Sequence, residues 1–451
     1  MKESDIIPSK TGEEKMGEQM ISVPWGKDEM KITLPANWEV MGRYEPAAIP
    51  LKENVRKEIE QALSNPIEMD RIGGLVRPGM RIAIVIDDGS RPTPIAQVIP
   101  PVIDELTQSG VSLEMITVVP AIGVHRGMEE KEFFTRIGNE YSGSIRWENH
   151  NCDDPDKMVY LGETSRNTPV WINKTVAQAD LVISIGCIEP HIIASFGGGY
   201  KNIVPGVAGR ITIAHNHTLN CAPQTFNMVG QPIDHNPMRL DLEEAASLIS
   251  GKVFIINTIL NYQQKIVGVV AGHPIAAHRQ GVRLSGGMYG IKLPQMADIV
   301  ITDSHPMDQD LRQGVKALAN TVRAVRPGGV LITLVRAEEG TGVFGLANKK
   351  LPLGKNAMQF FAPILLKLIP KLKLKGVGEE DKFFLYFAIQ AMRRATLLMY
   401  ASTIPTQVKE RLVFVSFLDN PEQAISYAAR KLPGRRSVVI FPQGGITYPV
   451  I

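Results

Sequence analysis

Short runs of branched apolar residues recur along this chain, and each is followed by a turn and then by a helical pattern. Two examples are RIAIVID (81–87), ahead of a predicted helix that ends at Gly110, and ADIVITD (297–303), ahead of a predicted helix across DQDLRQGVKALANTV. Such a continuous apolar run is typical of a strand buried on both faces of a parallel sheet. The alternation of strands with helices therefore predicts the α/β class, with mostly parallel sheets.

The alternation occurs twice, which predicts two α/β domains with the site in the cleft between them. At 451 residues the chain is longer than one hydrophobic core usually supports. We place the boundary near Gly286–Gly290, so that an N-terminal cofactor-binding domain spans 21–285 and a C-terminal domain spans 286–451. Residues 1–20 are predicted to be a flexible tail, and a helical insertion is predicted at about 339–405.

The composition argues against several classes of function. The formal net charge is +3 and 44% of the residues are hydrophobic, so we expect a globular protein that does not bind nucleic acid. Its three cysteines form no CxxC pair, which favours the cytoplasm and argues against a structural zinc site. The apolar run 358–376 is broken by Lys367, Pro370 and Lys371. We therefore predict no membrane span, and an amphipathic helix packed on the protein, with an interfacial helix as the alternative.

Four loops at predicted strand ends carry the candidate chemistry, because ligand-binding residues gather at the carboxyl ends of strands in open α/β sheets. The first loop is DDGSRPTP (87–94). Its aspartates, serine and prolines suit the start of a helix, and capping is the simpler interpretation. The alternative is an anion site, in which Arg91 binds a carboxylate or phosphate and an aspartate, Asp87 or Asp88, orients it.

Two further loops contain histidines. AIGVHRGM contains His125, which by itself is more typical of a surface residue than of a catalyst. ITIAHNH is predicted to be an apolar strand that ends in two histidines. Residues i and i+2 of a strand share a face, so His215 and His217 could bind one metal ion together. A polar strand end explains the same pattern equally well.

The remaining loop, CIEPHIIASFGGGYKNIVPG, combines glycines, a lysine and a histidine. Gly197, Gly198 and Gly199 allow the backbone to approach a phosphate or a ring closely. The spacing does not match the P-loop of nucleoside-triphosphate-binding proteins. Lys201 could instead attach a cofactor covalently, with His191 transferring protons. The alternative is a tight turn with an exposed lysine.

Together and in this order, these motifs resemble the lactate racemase family, which uses a nickel-pincer nucleotide. The resemblance is carried by DDGSRPTP, GVHRG, EPHIIASFGGGYKNIVPG and HNH, followed by DQDLRQGVKAL in the predicted second domain. In domain organisation it spans roughly 25–450, and its specific motifs lie between 87 and 316. It implies a cytoplasmic racemase or epimerase that acts on a small 2-hydroxy acid.

The resemblance also implies a cofactor, a pyridinium mononucleotide whose two sulfur-bearing arms clamp nickel. Lys201 matches the lysine that holds one arm through a thioamide bond, and His217 matches the protein ligand in the fourth nickel position. An imidazole beside soft sulfur donors suits square-planar nickel. Asp88 and the three glycines are expected to contact the nucleotide, which separate cofactor-biosynthesis enzymes are expected to deliver.

The same resemblance implies which residues act on the substrate. His125 and His191 match a pair of acid–base histidines, and Arg91, Gln313 and Lys316 match residues that bind the substrate. One histidine would take the hydroxyl proton while the α-hydrogen leaves as hydride to the cofactor. The resulting 2-keto acid is planar, so the hydride can return to either face.

The chain departs from the family pattern at Arg312, where the family commonly has a tyrosine before the glutamine. The added guanidinium predicts a substrate with a second anionic group or several hydroxyls, rather than lactate. Two other functions fit parts of the pattern. A pyridoxal-phosphate-like enzyme would use Lys201 in a Schiff base. A non-catalytic nickel- or nucleotide-binding protein would keep Lys201 and His217 but needs no acid–base pair.

Overall fold

The computed structural model describes residues 19–342, 344–371 and 379–451. The strands of the first half, residues 19–289, are β1 (Gln19–Trp25), β2 (Asp28–Leu34), β3 (Trp38–Arg43), β4 (Ile82–Asp87), β5 (Ile116–Ala121), β6 (Arg146–Trp147), β7 (Met158–Glu163), β8 (Pro169–Asn173), β9 (Leu181–Cys187), β10 (Pro190–His191), β11 (Ser195–Phe196), β12 (Lys252–Leu260) and β13 (Ile266–Gly272). Its α-helices are α1 (Val55–Ser64), α2 (Ile72–Leu75), α3 (Ile95–Gln108), α4 (Glu130–Ile137), α5 (Lys174–Ala177), α6 (Arg210–Thr218), α7 (Pro237–Ser247) and α8 (Ala276–Tyr289).

The second half, residues 290–451, continues the alternation. Its strands are β14 (Gly290–Lys292), β15 (Ala297–Asp303), β16 (Val325–Leu334), β17 (Thr396–Tyr400), β18 (Ser416–Leu418), β19 (Arg436–Phe441) and β20 (Tyr448–Val450). Its α-helices are α9 (Leu311–Thr321), α10 (Lys355–Leu368), α11 (Glu379–Arg394), α12 (Thr406–Arg411) and α13 (Pro421–Lys431).

The first large sheet has six strands in the order β13-β12-β9-β4-β5-β6. Strand β13 is antiparallel to β12, and the other neighbours are parallel. Every residue of β4 is buried, and its alternate residues pack into two different core clusters: Ala83 and Val85 in one, Ile84 and Ile86 in the other. Because both faces are covered, the strand has a continuous apolar sequence. The predicted α/β class with mostly parallel sheets is confirmed.

The second large sheet has the order β18-β17-β16-β15-β19-β3, and all its neighbouring strands are parallel. Two of its strands differ from what the sequence predicts. Strand β3 falls in the range predicted for the N-terminal domain, but it pairs with β19 at the far end of the chain. Strand β17 falls inside 339–405, which is predicted to be helical. A short apolar run beside helices cannot be assigned by its periodicity, and here the pairing with β16 decides.

The predicted helices of the 339–405 range are α10 and α11. Helix α10 buries Met358, Ala362 and Leu366 against the protein, as predicted for an amphipathic helix, while Phe360 and Ile364 stay exposed. Residues 372–376 of the predicted apolar run lie outside the described residues. In the described part of the chain, no helix has the length and apolarity needed to cross a membrane.

Candidate active site

A cavity of about 310 Å³ is lined by the loops that follow β4, β5 and β9, by helix α6, and by α9 and α11 of the second half. The predicted site residues that line it are Asp88, Arg91, His125, His191, Gly197, Gly198, Lys201, His217, Arg312, Gln313 and Lys316. Gly199 is the predicted site residue that does not line it. The fold thus gathers residues that are more than two hundred positions apart in the sequence.

The loop DDGSRPTP does not cap the helix that follows it. Helix α3 begins after Pro94 without a side-chain hydrogen bond at its N-terminus, so the capping interpretation is wrong. Asp88 instead accepts hydrogen bonds from the N–H and the hydroxyl of Ser90, at 3.1 and 2.6 Å, and its Oδ2 lies 2.7 Å from Nδ1 of His125. Burial acts to raise the pKa of Asp88, but the hydrogen bonds from His125 and Ser90 help to hold it well below its usual value. The ionised carboxylate orients the imidazole.

Arg91 is paired with Glu189, a carboxylate to which the sequence analysis assigned no role. Nη1 of Arg91 lies 2.5 Å from Oε1 of Glu189, and Nζ of Lys316 lies 3.9 Å from the same oxygen. Burial acts to raise the pKa of Glu189, but the charges of Lys316 and Arg91 lower it overall. The available sequence signal was a carboxylate just after a buried strand and two positions before His191.

The glycines before Lys201 are required by the backbone of their loop. Gly198 and Gly199 have φ angles of +74° and +63°, a region that favours glycine. A Cβ on Gly198 would lie 2.7 Å from Oδ1 of Asn257. The N–H of Gly199 donates a hydrogen bond to the same oxygen at 2.7 Å, so Gly199 is held by the protein. This close contact between the glycine loop and Asn257 fixes the backbone position of Lys201, which lies in the next turn.

A buried arginine holds the same loop from the protein interior. Arg239, on α7, donates hydrogen bonds to the backbone carbonyls of Ala194, Phe196 and Gly198. Sequence reasoning missed Arg239, because an arginine on a helix of mixed polarity is ordinarily a surface residue. Its complete burial shows that the loop conformation depends on α7 as well as on its own glycines.

The amine of Lys201 has no hydrogen bond or ion pair with any residue that the structure describes. Burial, followed by the charge of Arg91, lowers the pKa of Lys201 to about 7. Much of the amine is therefore neutral at neutral pH. Because only the neutral amine is nucleophilic, this environment suits a lysine that forms a covalent bond.

The stretch ITIAHNH forms helix α6, so its prediction as a strand is wrong. Its branched residues favour a strand locally, but packing against α11 and β8 stabilises the helix. Positions i and i+2 of a helix point about 200° apart, so His215 and His217 do not share a face. Nδ1 of His215 lies 2.8 Å from Oγ1 of Thr168, whereas His217 lines the cavity.

His217 has the properties of a neutral ligand. Burial, followed by the charge of Lys201, lowers the pKa of His217 to about 4, so its ring is neutral near pH 7. The backbone of Ile213 interacts with the ring and opposes this shift, but Nδ1 has no hydrogen-bond partner of good geometry among the described residues. A neutral imidazole with a free nitrogen suits binding to a transition metal such as nickel.

Helix α9 brings three predicted residues to the cavity from the second half. The carboxylate of Asp310 caps the helix by accepting the N–H of Gln313 at 2.8 Å. Oε1 of Gln313 is buried without a partner, and the guanidinium of Arg312 forms no hydrogen bond or ion pair with the described residues. Burial, followed by the charge of Arg91, lowers the pKa of Arg312. With Lys316, these groups are available to a polar ligand.

Beyond these polar groups, the second half contributes an apolar wall. The wall includes Phe344, Leu346, Phe384, Phe387, Phe414 and Val415. Sequence reasoning found none of them, because an apolar residue that lines a cavity has the same local pattern as one in the core. The cavity therefore combines cations and histidines on one side with an aromatic surface on another part of its wall.

The comparisons with known proteins agree in pointing to one family. The sequence model of the lactate racemase N-terminal domain matches residues 25–227. A lactate racemase from Thermoanaerobacterium thermosaccharolyticum is 30% identical over 383 residues, which are 80% of this chain and 89% of the relative. A lactate racemase from Lactiplantibacillus plantarum is 31% identical over 293 residues, which are 64% of this chain and 68% of the relative.

The fold is also similar to that of a solved structure. The lactate racemase apoprotein from Thermoanaerobacterium thermosaccharolyticum superposes with a TM-score of 0.81 at 23% sequence identity. The superposition covers 96% of this chain and 100% of that chain. The similarity thus extends over both large sheets.

Proposed function

The chain belongs to the lactate racemase family, a family of isomerases, and we propose that it racemises or epimerises a 2-hydroxy acid with a nickel-pincer nucleotide joined to Lys201. One observation carries the proposal. An unpaired lysine with a lowered pKa, a neutral, half-buried histidine at position 217 and two further histidines line a single cavity. This combination supplies an attachment point, a metal ligand and groups that bind protons.

The residues present fit the proposed cofactor. Lys201 supplies an amine that is free to form the covalent link, and His217 supplies a neutral imidazole that lines the same cavity. The proposal assigns the remaining nickel ligands to the cofactor. Among the described residues, no group of three or more histidine, cysteine or acidic side chains is placed to hold a metal.

The bound nucleotide would supply a hydride acceptor for the hydrogen on the substrate α-carbon. The α-carbon of a 2-hydroxy acid is weakly acidic, and a hydride acceptor makes it unnecessary to form a carbanion there. What the chain must add is a base for the hydroxyl proton and a fixed position for the carboxylate. His125 and His191 are the proposed proton-binding groups, and both line the cavity.

The cations of the cavity are proposed to hold the substrate. Arg91 and Lys316 both lie close to Oε1 of Glu189, and each has N–H groups beyond the ones directed at that carboxylate. Arg312 is free of described partners and would bind a second carboxylate or several hydroxyls. The proposed substrate is therefore a 2-hydroxy acid with a polar second group, rather than lactate.

The test is to express the chain with and without the enzymes that build the nucleotide. We expect the intact mass to rise by one covalently attached cofactor only in the first case, with about one nickel per chain and interconversion of hydroxy-acid enantiomers on chiral chromatography. Lys201→Ala should lose the added mass and the activity while keeping its folded far-UV circular dichroism. The exposed Lys174 supplies the matched control, Lys174→Ala. A nickel-independent activity that borohydride abolishes would instead indicate a lysine Schiff base.

A further inference from the structure

Helix α10 is apolar on two opposite sides. Met358, Ala362 and Leu366 are buried against the protein. Phe360 and Ile364 each follow a buried residue by two positions, which turns them about 200° away around the helix, and they are 79% and 56% exposed. A helix packed on the surface of a protein ordinarily has polar residues on the side that faces away from the core. The exposed side of α10 is apolar instead.

The exposed apolar side chains of the protein are concentrated on this helix. Among the residues that the structure describes, fourteen large apolar side chains are exposed, and four of them are on α10: Phe360, Phe361, Ile364 and Leu368. We call these four residues, together with Lys367, the outer face of α10. Single exposed apolar residues are common on soluble proteins, but a contiguous group of them marks a site of interaction.

The outer face lies in a basic part of the chain. Residues 340–378 contain seven lysines and no aspartate or glutamate, whereas the whole chain has 46 acidic residues among 451. Lys367 follows Phe360 by seven positions, so it is on the same side of the helix, and Lys371 lies just beyond the end of the helix. Both lysines are exposed, and neither has an ion pair or side-chain hydrogen bond with a described residue. They are available to an anionic partner.

This composition fits a membrane surface better than a protein partner. Lysine is depleted at the centre of protein–protein interfaces. Helices that lie on a bilayer combine phenylalanine and leucine with lysines, because the alkyl part of a lysine packs on apolar groups while its ammonium reaches the lipid phosphates. With no acidic residue in 340–378, nothing in this stretch repels an anionic headgroup. The outer face is therefore complementary to a bilayer that contains anionic lipid.

We propose that the protein binds reversibly to the surface of an anionic phospholipid bilayer through the outer face of α10. The four apolar side chains enter the headgroup region, while Lys367 and Lys371 pair with lipid phosphates. The helix lies in the plane of the surface, because its other side stays packed on the protein. The inference is independent of the proposed function, since no residue of the outer face lines the cavity.

Flotation of the full chain with lipid vesicles tests the proposal. The native protein should float with vesicles of two parts phosphatidylcholine to one part phosphatidylglycerol, and not with vesicles of phosphatidylcholine alone. Replacing both lysines, Lys367→Gln with Lys371→Gln, should lower the partition coefficient roughly 25-fold, about fivefold for each lysine. Phe360→Ser with Ile364→Ser should lower it by about 10-fold or more. Salt at about 1 M, which screens charges beyond about 3 Å, should weaken binding of the native protein.

Matched controls are available elsewhere on the surface. Leu51 is 56% exposed, as Ile364 is, but it lies outside α10. Leu51→Ser should leave the partition coefficient unchanged, and so should Lys174→Gln, which removes an exposed lysine of the first half. Circular dichroism and thermal unfolding of each variant should match those of the native protein, because every substituted side chain is exposed.

Three outcomes would overturn the proposal. The first is that the native protein does not float with the anionic vesicles. The second is that it floats equally with both kinds of vesicle, or that the outer-face variants bind as well as the Leu51 and Lys174 controls. The third comes from light scattering without lipid: a native dimer that Phe360→Ser converts to monomers would show that a second copy of the chain covers the outer face.

Discussion

Lys316, on the first helix of the second half, lies 3.9 Å from the Glu189 carboxylate of the first half, and Arg91 lies 2.5 Å from the same carboxylate oxygen. The side chain of Glu189 is only 8% exposed, so its charge is largely removed from water. This carboxylate links the two halves of the chain and keeps the two proposed substrate-binding cations together.

Glu189→Gln should lower the free energy of unfolding by about 1–3 kcal/mol, because Arg91 and Lys316 lose a buried counter-charge. Since folding lowers the pKa of Glu189, its contribution is full above the unfolded pKa and is lost as the pH falls through the folded pKa. Urea denaturation at neutral and acidic pH measures both effects. Glu60→Gln, which removes an exposed pair with Arg56, is the control and should cost less than about 0.5 kcal/mol. Equal losses of unfolding free energy in Glu189→Gln and Glu60→Gln would contradict the prediction.

The amine of Lys201 should react with acetic anhydride in the apoprotein with a midpoint near pH 7. Burial and the charge of Arg91 lower its pKa to about 7, whereas the pKa of an unperturbed lysine is about 10.4. Peptide mass spectrometry after brief acetylation at a series of pH values measures the midpoint. Lys174, which is exposed, provides the comparison within the same sample. A Lys201 profile that coincides with that of Lys174 would show that the cavity does not perturb the amine.

His217→Ala should lose most of the nickel, whereas His215→Ala should retain it. The two side chains leave α6 in different directions, and His215 is hydrogen-bonded to Thr168 rather than facing the cavity. The measurement is nickel per chain by elemental analysis, with intact mass as a check that the covalent cofactor is still present. Equal nickel loss from both variants would indicate that the histidines bind the metal together, which the helix does not allow.

Arg312→Tyr should shift the substrate preference towards lactate. In the native chain an unpaired guanidinium in a closed site costs roughly 1–3 kcal/mol, so a substrate that pairs with it should be preferred. The ratio of kcat/KM between a dicarboxylic 2-hydroxy acid and lactate should fall roughly tenfold. Arg312→Lys keeps the charge without the bidentate geometry, so its ratio should lie between that of the native chain and that of Arg312→Tyr. If lactate is the best substrate of the native chain, and the order of substrates by kcat/KM is the same in the Arg312 variants, the side chain does not contact the substrate.

Most of the fold and much of the cavity could be predicted from local sequence. The apolar runs at β4 and β15 predict strands because a strand buried on both faces must be apolar at every position. The polar residues that follow such runs, Asp88 and His125 among them, line the cavity because the carboxyl ends of parallel strands meet at one edge of the sheet. These features depend on the residue types at a few consecutive positions, so the local sequence is enough to predict them.

Other features depend on partners that are distant in sequence. ITIAHNH has the local preference of a strand, and contacts with α11 and β8 make it a helix. Arg239 has the sequence context of a surface residue and becomes a buried donor only because the glycine loop presents its carbonyls there.

The sequence by itself determined the class of fold, its parallel strands and the polar loops at their ends, since backbone sterics and hydrophobic burial act over a few residues. Only the tertiary structure decided that β3 joins the second sheet and that Arg91 and Lys316 meet at the carboxylate of Glu189. Those outcomes are set by hydrogen bonds and charges between segments that meet only when the chain is folded, and no local pattern of residue types encodes a distance between them.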